Sequence, residues 1–165
     1  DKDANSACYM IAEITAWAAE QNKTLYQILK EIYKEFDFYK EGLLSLTKKG
    51  ISGIEEIKNL MHKFRTTPPT QILGSDIVEI KDYKSSVSKN VKSGVETTIN
   101  LPKSDVLQFF TEDGTKISIR PSGTEPKIKF YFGIKAKLND IADFEVVNNE
   151  LNERINKLIK LFSEE

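Results

Sequence analysis

Between Arg120 and Tyr131 the chain reads RPSGTEPKIKFY, and these residue types suit the holding of a tetrahedral anion. A guanidinium can grip two phosphate oxygens at once, which a lysine ammonium cannot do. Ser122 and Thr124 offer hydroxyls. Gly123 lets the backbone turn so that successive N–H groups converge into an anion nest. Pro121 and Pro126 stiffen the loop and reduce the ordering cost of binding. Against this stands the ordinary alternative: a Pro, Ser, Gly and Thr loop is most often only a loop, and a strand-end arginine is usually solvated. Composition leaves both readings open.

The flanking segments must position these groups. In KISIR, Ile117 and Ile119 point to a core, so Arg120 points to the other face. In IKFYFGI, Ile128, Phe130, Phe132 and Ile134 alternate onto one face, so Lys129 also points away. If the strands are antiparallel neighbours, Arg120 and Lys129 share one face beside one loop. VLQFFT precedes KISIR, and Asp113-Gly114 between them favours the positive φ angles of a tight hairpin.

Upstream, Ala4 to Glu20 has small and apolar residues at helical spacing, with Asp3 as N-cap. A second helix spans Thr24 to about Phe36, opened by a Thr24/Gln27 capping box. GLLSLTKKG reads as a short strand. Ser52 and Glu55 suggest a capping box for a helix carrying Ile54, Ile57, Met61 and Phe64, which must stop before Pro68-Pro69. DIVEIKD (76–82) reads as a strand, and 83–105 as a mobile loop or weak strand. Asn139 to Phe162 closes the chain as a long amphipathic helix. From residue 41 the order is strand, helix, four strands, helix, which makes an α+β domain with helices on one face of an antiparallel sheet.

Bulk properties narrow the function classes. The 165 residues carry 24 basic and 25 acidic side chains, net −1, a balance that argues against a general nucleic-acid binder. No apolar run reaches the ~20 residues of a membrane span. Cys8 is the only cysteine and His62 the only histidine, so no internal disulfide can form, a zinc site is disfavoured and a reducing cytoplasm is expected. DKDANSACYM shows neither a signal-peptide layout nor an initiator methionine, and the chain reads as a piece of something longer. Cys8 and Trp17 are expected in a core or, for Trp17, against missing domains. His62 is expected to be solvated or packed, Lys48, Lys49 and Lys127 to be solvated, and Glu125 to turn away from any bound anion.

RPSGTEP followed by KIKFY resembles the phosphate-binding loop of the phosphohexomutases, the phosphoglucomutase and phosphomannomutase superfamily. GISGIEEIKNLMHKFR resembles the first helix of that family's C-terminal domain. DKDANSA and TLYQILKEIYKEF resemble the end of its third domain. The resemblance implies that residues 1–40 are C-terminal helices of an incomplete α/β/α third domain. Residues 41–165 would be a TATA-binding-protein-like fourth domain. It also implies a larger enzyme that interconverts hexose 1-phosphate and 6-phosphate, with Mg2+ as cofactor and glucose 1,6-bisphosphate as activator and intermediate. The fourth domain of such an enzyme closes over the cleft, with a hinge expected near Tyr39 to Leu43, and holds the phosphate that is not being transferred. Carried over, Arg120, Ser122, Gly123, Thr124 and Lys129 would bind that phosphate, and Lys2 resembles a lysine near the sugar-phosphate site.

The catalytic-serine motif Thr-x-Ser-His-Asn-Pro, the magnesium loop Asp-Gly-Asp-x-Asp and the sugar-reading loop Gly-Glu-x-Ser-Gly-His do not occur in the chain. The expected partners are therefore a phosphosugar and the missing N-terminal domains of the same chain, and the piece alone is expected to be inactive. KIKFYFGIKAK resembles the larger phosphoglucomutase-type members, which points to glucose, with mannose and pentose phosphates as alternatives. A non-catalytic anion-binding or protein-interaction module is the alternative from a different class.

Overall fold

The computed structural model describes residues 3–48 and 50–164. Lys2 and Lys49 lie outside them. Two compact units are present: Asp1–Tyr39 with Ala136–Asn149, and Lys40–Lys135 with Glu150–Glu165.

The first unit contains α1 (Ala4–Glu20) and α2 (Leu25–Phe36). Asp3 caps α1 by accepting the Ser6 N–H at 3.0 Å. Thr24 and Gln27 form the expected reciprocal capping box on α2. Tyr33, Phe38 and Phe144 stack, with ring centroids 4.2 and 4.9 Å apart along that series. The apolar stripe of α1 is not core. Ala18 is its one buried residue; Cys8 is exposed, which corrects the expectation of a core cysteine, and Trp17 is 51% exposed, which removes the core alternative for it. A helical period shows that a face is apolar. It does not show that this unit supplies a surface to cover it.

The second unit holds the sheet. The remaining α-helices and strands in chain order are β1 (Phe38–Thr47), α3 (Gly50–Thr66), β2 (Gln71–Ile72), β3 (Ser75–Asp82), β4 (Val87–Asn90), β5 (Glu96–Thr98), β6 (Leu107–Thr111), β7 (Lys116–Pro121), β8 (Lys127–Ala136) and α4 (Phe144–Ser163), of which Phe38, Tyr39, Ala136 and Phe144–Asn149 belong to the first unit. The strands lie in the order β1-β8-β7-β6-β3-β4-β5, with β2 paired to β3. The pairs β8-β7, β7-β6, β6-β3, β3-β4 and β4-β5 are antiparallel. Ile117, Ile119, Ile128, Phe130 and Phe132 are essentially inaccessible to solvent. They face Phe64 of α3 and Phe162 of α4, whose rings lie 6.1 and 5.3 Å from that of Phe130. Both helices therefore cover one sheet face, as an α+β layer requires.

Several local expectations change. β2, β4 and β5 join the expected strands, so 83–105 contains a short β ribbon, registered Val87↔Thr98 to Lys89↔Glu96. Its Ser- and Lys-rich sequence hides it because neither face of a polar ribbon needs hydrophobic alternation. The α3 helix begins at Gly50, so Ser52 lies inside it rather than at its cap. The β6–β7 turn has only Gly114 at positive φ, +82°, and Thr111 donates its N–H to Thr115 O at 3.0 Å. This is a three-residue loop closed by a left-handed glycine, not a two-residue Asp-Gly turn. Gly42 answers to packing: a Cβ there would sit 2.6 Å from Ile155 Cγ2.

Candidate phosphate-binding site

The register β7–β8 settles where the two cations stand. Arg120 lies directly opposite Lys129, one step from Ile119↔Phe130 in the core. Both side chains consequently leave the sheet on the face opposite the helices. Like charges placed directly across a strand pair repel each other. Neither group makes an ion pair or hydrogen bond among the described residues. The arrangement carries an uncompensated positive charge at one spot on a chain that is otherwise balanced.

The loop from Pro121 to Pro126 is fixed at its base and open at its tip. Ser122 N–H donates to Lys127 O at 2.8 Å, and Lys48 N–H donates to Pro126 O at 2.9 Å. At the tip, Ser122 Oγ accepts the N–H groups of Thr124 and Glu125 at 3.5 and 3.3 Å. Its hydroxyl proton is free to be donated outward. The Thr124 hydroxyl has no partner among the described residues. Glu125 turns to Lys127, 3.3 Å away, which keeps its carboxylate occupied beside a cationic site.

Arg120, Ser122, Gly123, Thr124 and Lys129 line one depression of about 360 Å³, together with Pro121, Glu125, Lys127 and Tyr131, so the carboxylate residue expected to turn away from an anion is part of the lining. The five residues expected from the sequence are thus brought together. The detail differs at Gly123. Its φ is not in the left-handed region, and a Cβ there would meet nothing within 4 Å. The glycine is required neither by the turn nor by crowding in the free loop. The nest is also partly filled, because two of the amides expected to face an anion are turned to the Ser122 hydroxyl. Sequence reasoning passed over Tyr131 as a lining residue. The signal was present, since the alternation that sends Lys129 outward sends Tyr131 outward too.

His62 is exposed and lines a different depression of about 470 Å³, along Ile57 and Met61 of α3, which reaches Ser122 and Gly123 from the other side of the loop. Among the described residues no three His, Cys, Asp or Glu side chains converge to hold a metal ion. No described helix is long and apolar enough to cross a membrane.

Comparison with known proteins places these features. Residues 48–147 match the family model described as phosphoglucomutase/phosphomannomutase, C-terminal domain. A phosphoglucomutase of Staphylococcus haemolyticus is 32% identical over 151 residues, covering 92% of this chain and 26% of that protein. A phosphoglucomutase of Staphylococcus aureus is 36% identical over 143 residues, covering 86% of this chain and 26% of that protein. The chain therefore spans about a quarter of the length of these curated relatives. The open form of pp63/parafusin (phosphoglucomutase) from Paramecium aligns over 81% of this chain and 22% of that one, at 14% identity and a TM-score of 0.39. That likeness is too weak to carry any structural argument.

Proposed function

Because the chain belongs to the phosphoglucomutase/phosphomannomutase C-terminal domain family, we propose that its open-faced cavity clamps a phosphate group of a phosphosugar. That phosphate is the one not being transferred while a longer enzyme interconverts hexose 1-phosphate and 6-phosphate, with glucose as the sugar. The observation that carries this reading is the unpaired Arg120–Lys129 cross-strand pair beside two free hydroxyl donors.

The residues divide the work by their chemistry. Arg120 presents a planar fork to two oxygens, and Lys129 supplies a compact charge from the opposite strand. Bringing an anion between them turns a repulsion into two attractions, so binding relieves a cost already present in the free sheet. Ser122 Oγ accepts two backbone N–H groups, which polarises its O–H for donation to the anion. Thr124 adds a second hydroxyl. In this reading the chain's part is holding and orienting. Magnesium and glucose 1,6-bisphosphate belong to the proposed parent reaction. Among the described residues no His, Cys, Asp and Glu cluster offers a ligand set for the metal.

The test is a titration of the isotope-labelled chain with inorganic phosphate, followed through backbone amides. Saturable shifts should be confined to residues 120–124 and Lys129. Arg120→Ala should weaken binding about 10- to 100-fold, the loss of a charge-assisted pair of bonds. Undiminished binding in that variant, or no binding at millimolar phosphate, sinks the reading.

A further inference from the structure

Arg120 and Lys129 are not the only cations at the cavity. The alternation that buries Ile128 and Phe130 sends Lys127 outward beside Lys129. The backbone of Lys127 is anchored on both sides: its N–H donates to Glu125 O at 2.7 Å, and its carbonyl accepts the Ser122 N–H at 2.8 Å. Its ammonium faces the Glu125 carboxylate at 3.3 Å. Lys127 and Glu125 both line the cavity. A carboxylate of the loop itself thus already engages one cation of an anion site.

We propose that Glu125 is an internal stand-in for the ligand: it holds Lys127 in the free loop and yields it to an incoming phosphate, so that Lys127 is a third phosphate-binding cation. The inference rests on the phosphate reading of the cavity. Charge favours it. With Arg120, Lys127 and Lys129 set against one carboxylate, the lining has two positive charges in excess, the reverse of a phosphate dianion. Lys127 and Lys129 stand ~7 Å apart along the strand, at ~3.3 Å per residue, and Arg120 lies directly across from Lys129. Three cations so close repel one another, and Glu125 offsets that repulsion until a ligand arrives.

The exchange is favourable because the pair given up is weak. The Lys127 and Glu125 side chains are 34% and 62% exposed, and an ion pair so hydrated contributes less than about fivefold to an equilibrium constant. A charge-assisted bond to a phosphate that two other cations already hold contributes about tenfold or more. The displaced carboxylate is not stranded. Glu125 also lines the depression on the far side of the loop, with Lys58, His62 and Lys84, a cationic surface to which it can turn. Side-chain rotation suffices, because the backbone bonds at Lys127 keep the strand end in place.

Plain repulsion between Glu125 and the ligand has a different signature. A carboxylate facing an anion across ~8 Å of salt water weakens binding by only about twofold, and does so whether or not Lys127 is present. As a stand-in, Glu125 acts through Lys127. It is a positioning residue, and removing its charge should raise affinity only where Lys127 is there to be released.

The experiment titrates the isotope-labelled chain with inorganic phosphate by NMR at fixed pH and salt, in the wild type, Glu125→Gln, Lys127→Met, Lys127→Arg and the Glu125→Gln/Lys127→Met double variant. Glu125→Gln should bind phosphate about three- to fivefold more tightly. Lys127→Met should bind it about three- to tenfold more weakly, while Lys127→Arg, which keeps the charge, should stay within about twofold of the wild type. In the Lys127→Met background the gain from Glu125→Gln should shrink to about twofold or less. Well-dispersed spectra show that the variants are folded. Unchanged affinity in Lys127→Met overturns the exchange and leaves the phosphate cavity standing. So does the absence of any gain in Glu125→Gln, or a gain that persists undiminished without Lys127. Silence of the wild-type chain towards phosphate overturns the phosphate reading and the exchange with it.

Discussion

Two connections on either side of β7 do the same topological job and treat charge in opposite ways. The β6–β7 turn uses its polar groups on itself. Asp113 Oδ1 accepts from the Thr111 hydroxyl at 2.6 Å and from the Thr115 N–H at 3.0 Å, and Arg154 of α4 pairs with Asp113 and donates to Thr115 Oγ1 at 2.7 Å. The β7–β8 loop does the reverse. Its flanking cations are set against each other, its hydroxyls donate to no described group, and only its base is closed. A turn that serves the fold satisfies its polar atoms locally. One that serves a ligand keeps them unsatisfied and near water, where the cost of leaving them so is small.

The comparison can be broken by exchanging these properties. The largest effect is expected for Arg120→Ala, which should abolish most phosphate affinity while changing stability by no more than about 0.5 kcal/mol, since the side chain is exposed and unpaired. Thermal unfolding of the variant checks the second half of that statement. Next comes Gly42→Ala, a pure packing change outside both loops. Forcing a methyl group against Ile155 should cost about 1–3 kcal/mol, measurable by denaturant titration, with phosphate binding unaltered.

The structural turn sharpens the contrast through pH. Burial pushes the Asp113 carboxyl up, but hydrogen bonds from Thr111 and Thr115 and the Arg154 charge outweigh it and hold the group below its ordinary value of 3.8. The unfolded chain therefore binds a proton there first as pH falls. The stabilisation is full above pH ~4 and is lost as pH drops through the depressed value. Asp113→Asn should cost about 1–2 kcal/mol at neutral pH and flatten the loss of stability below pH ~4, while phosphate titrations stay as they were. The smallest effect belongs to Gly123→Ala. With open space around its Cβ, stability should hold within about 0.5 kcal/mol, and any change should appear only in phosphate titrations. A clear drop in melting temperature would mean that this loop, too, is built for the fold.

How far the sequence speaks depends on whether a feature is periodic. Ile117, Ile119, Ile128 and Phe130 declare their face by alternation, and that alternation with antiparallel pairing placed Arg120 beside Lys129. The capping residues Asp3 and Thr24 are equally plain, because a cap is a local bond. The β4–β5 ribbon was not legible, since Ser88, Lys89 and Thr97 carry no hydrophobic signature. Neither was the exposure of Cys8, which depends on what a unit offers as a neighbour. At the site, residue types were readable but bond directions were not. Nothing in RPSGTEP tells that Ser122 accepts the amides of Thr124 and Glu125, or that Glu125 is held by Lys127.

The single bond from Lys48 N–H to Pro126 O ties the far end of the loop to the segment leaving β1. Movement of Pro126 relative to the segment leaving β1 lengthens or shortens that bond, which makes the Lys48 amide a gauge of loop state at a residue that does not line the cavity.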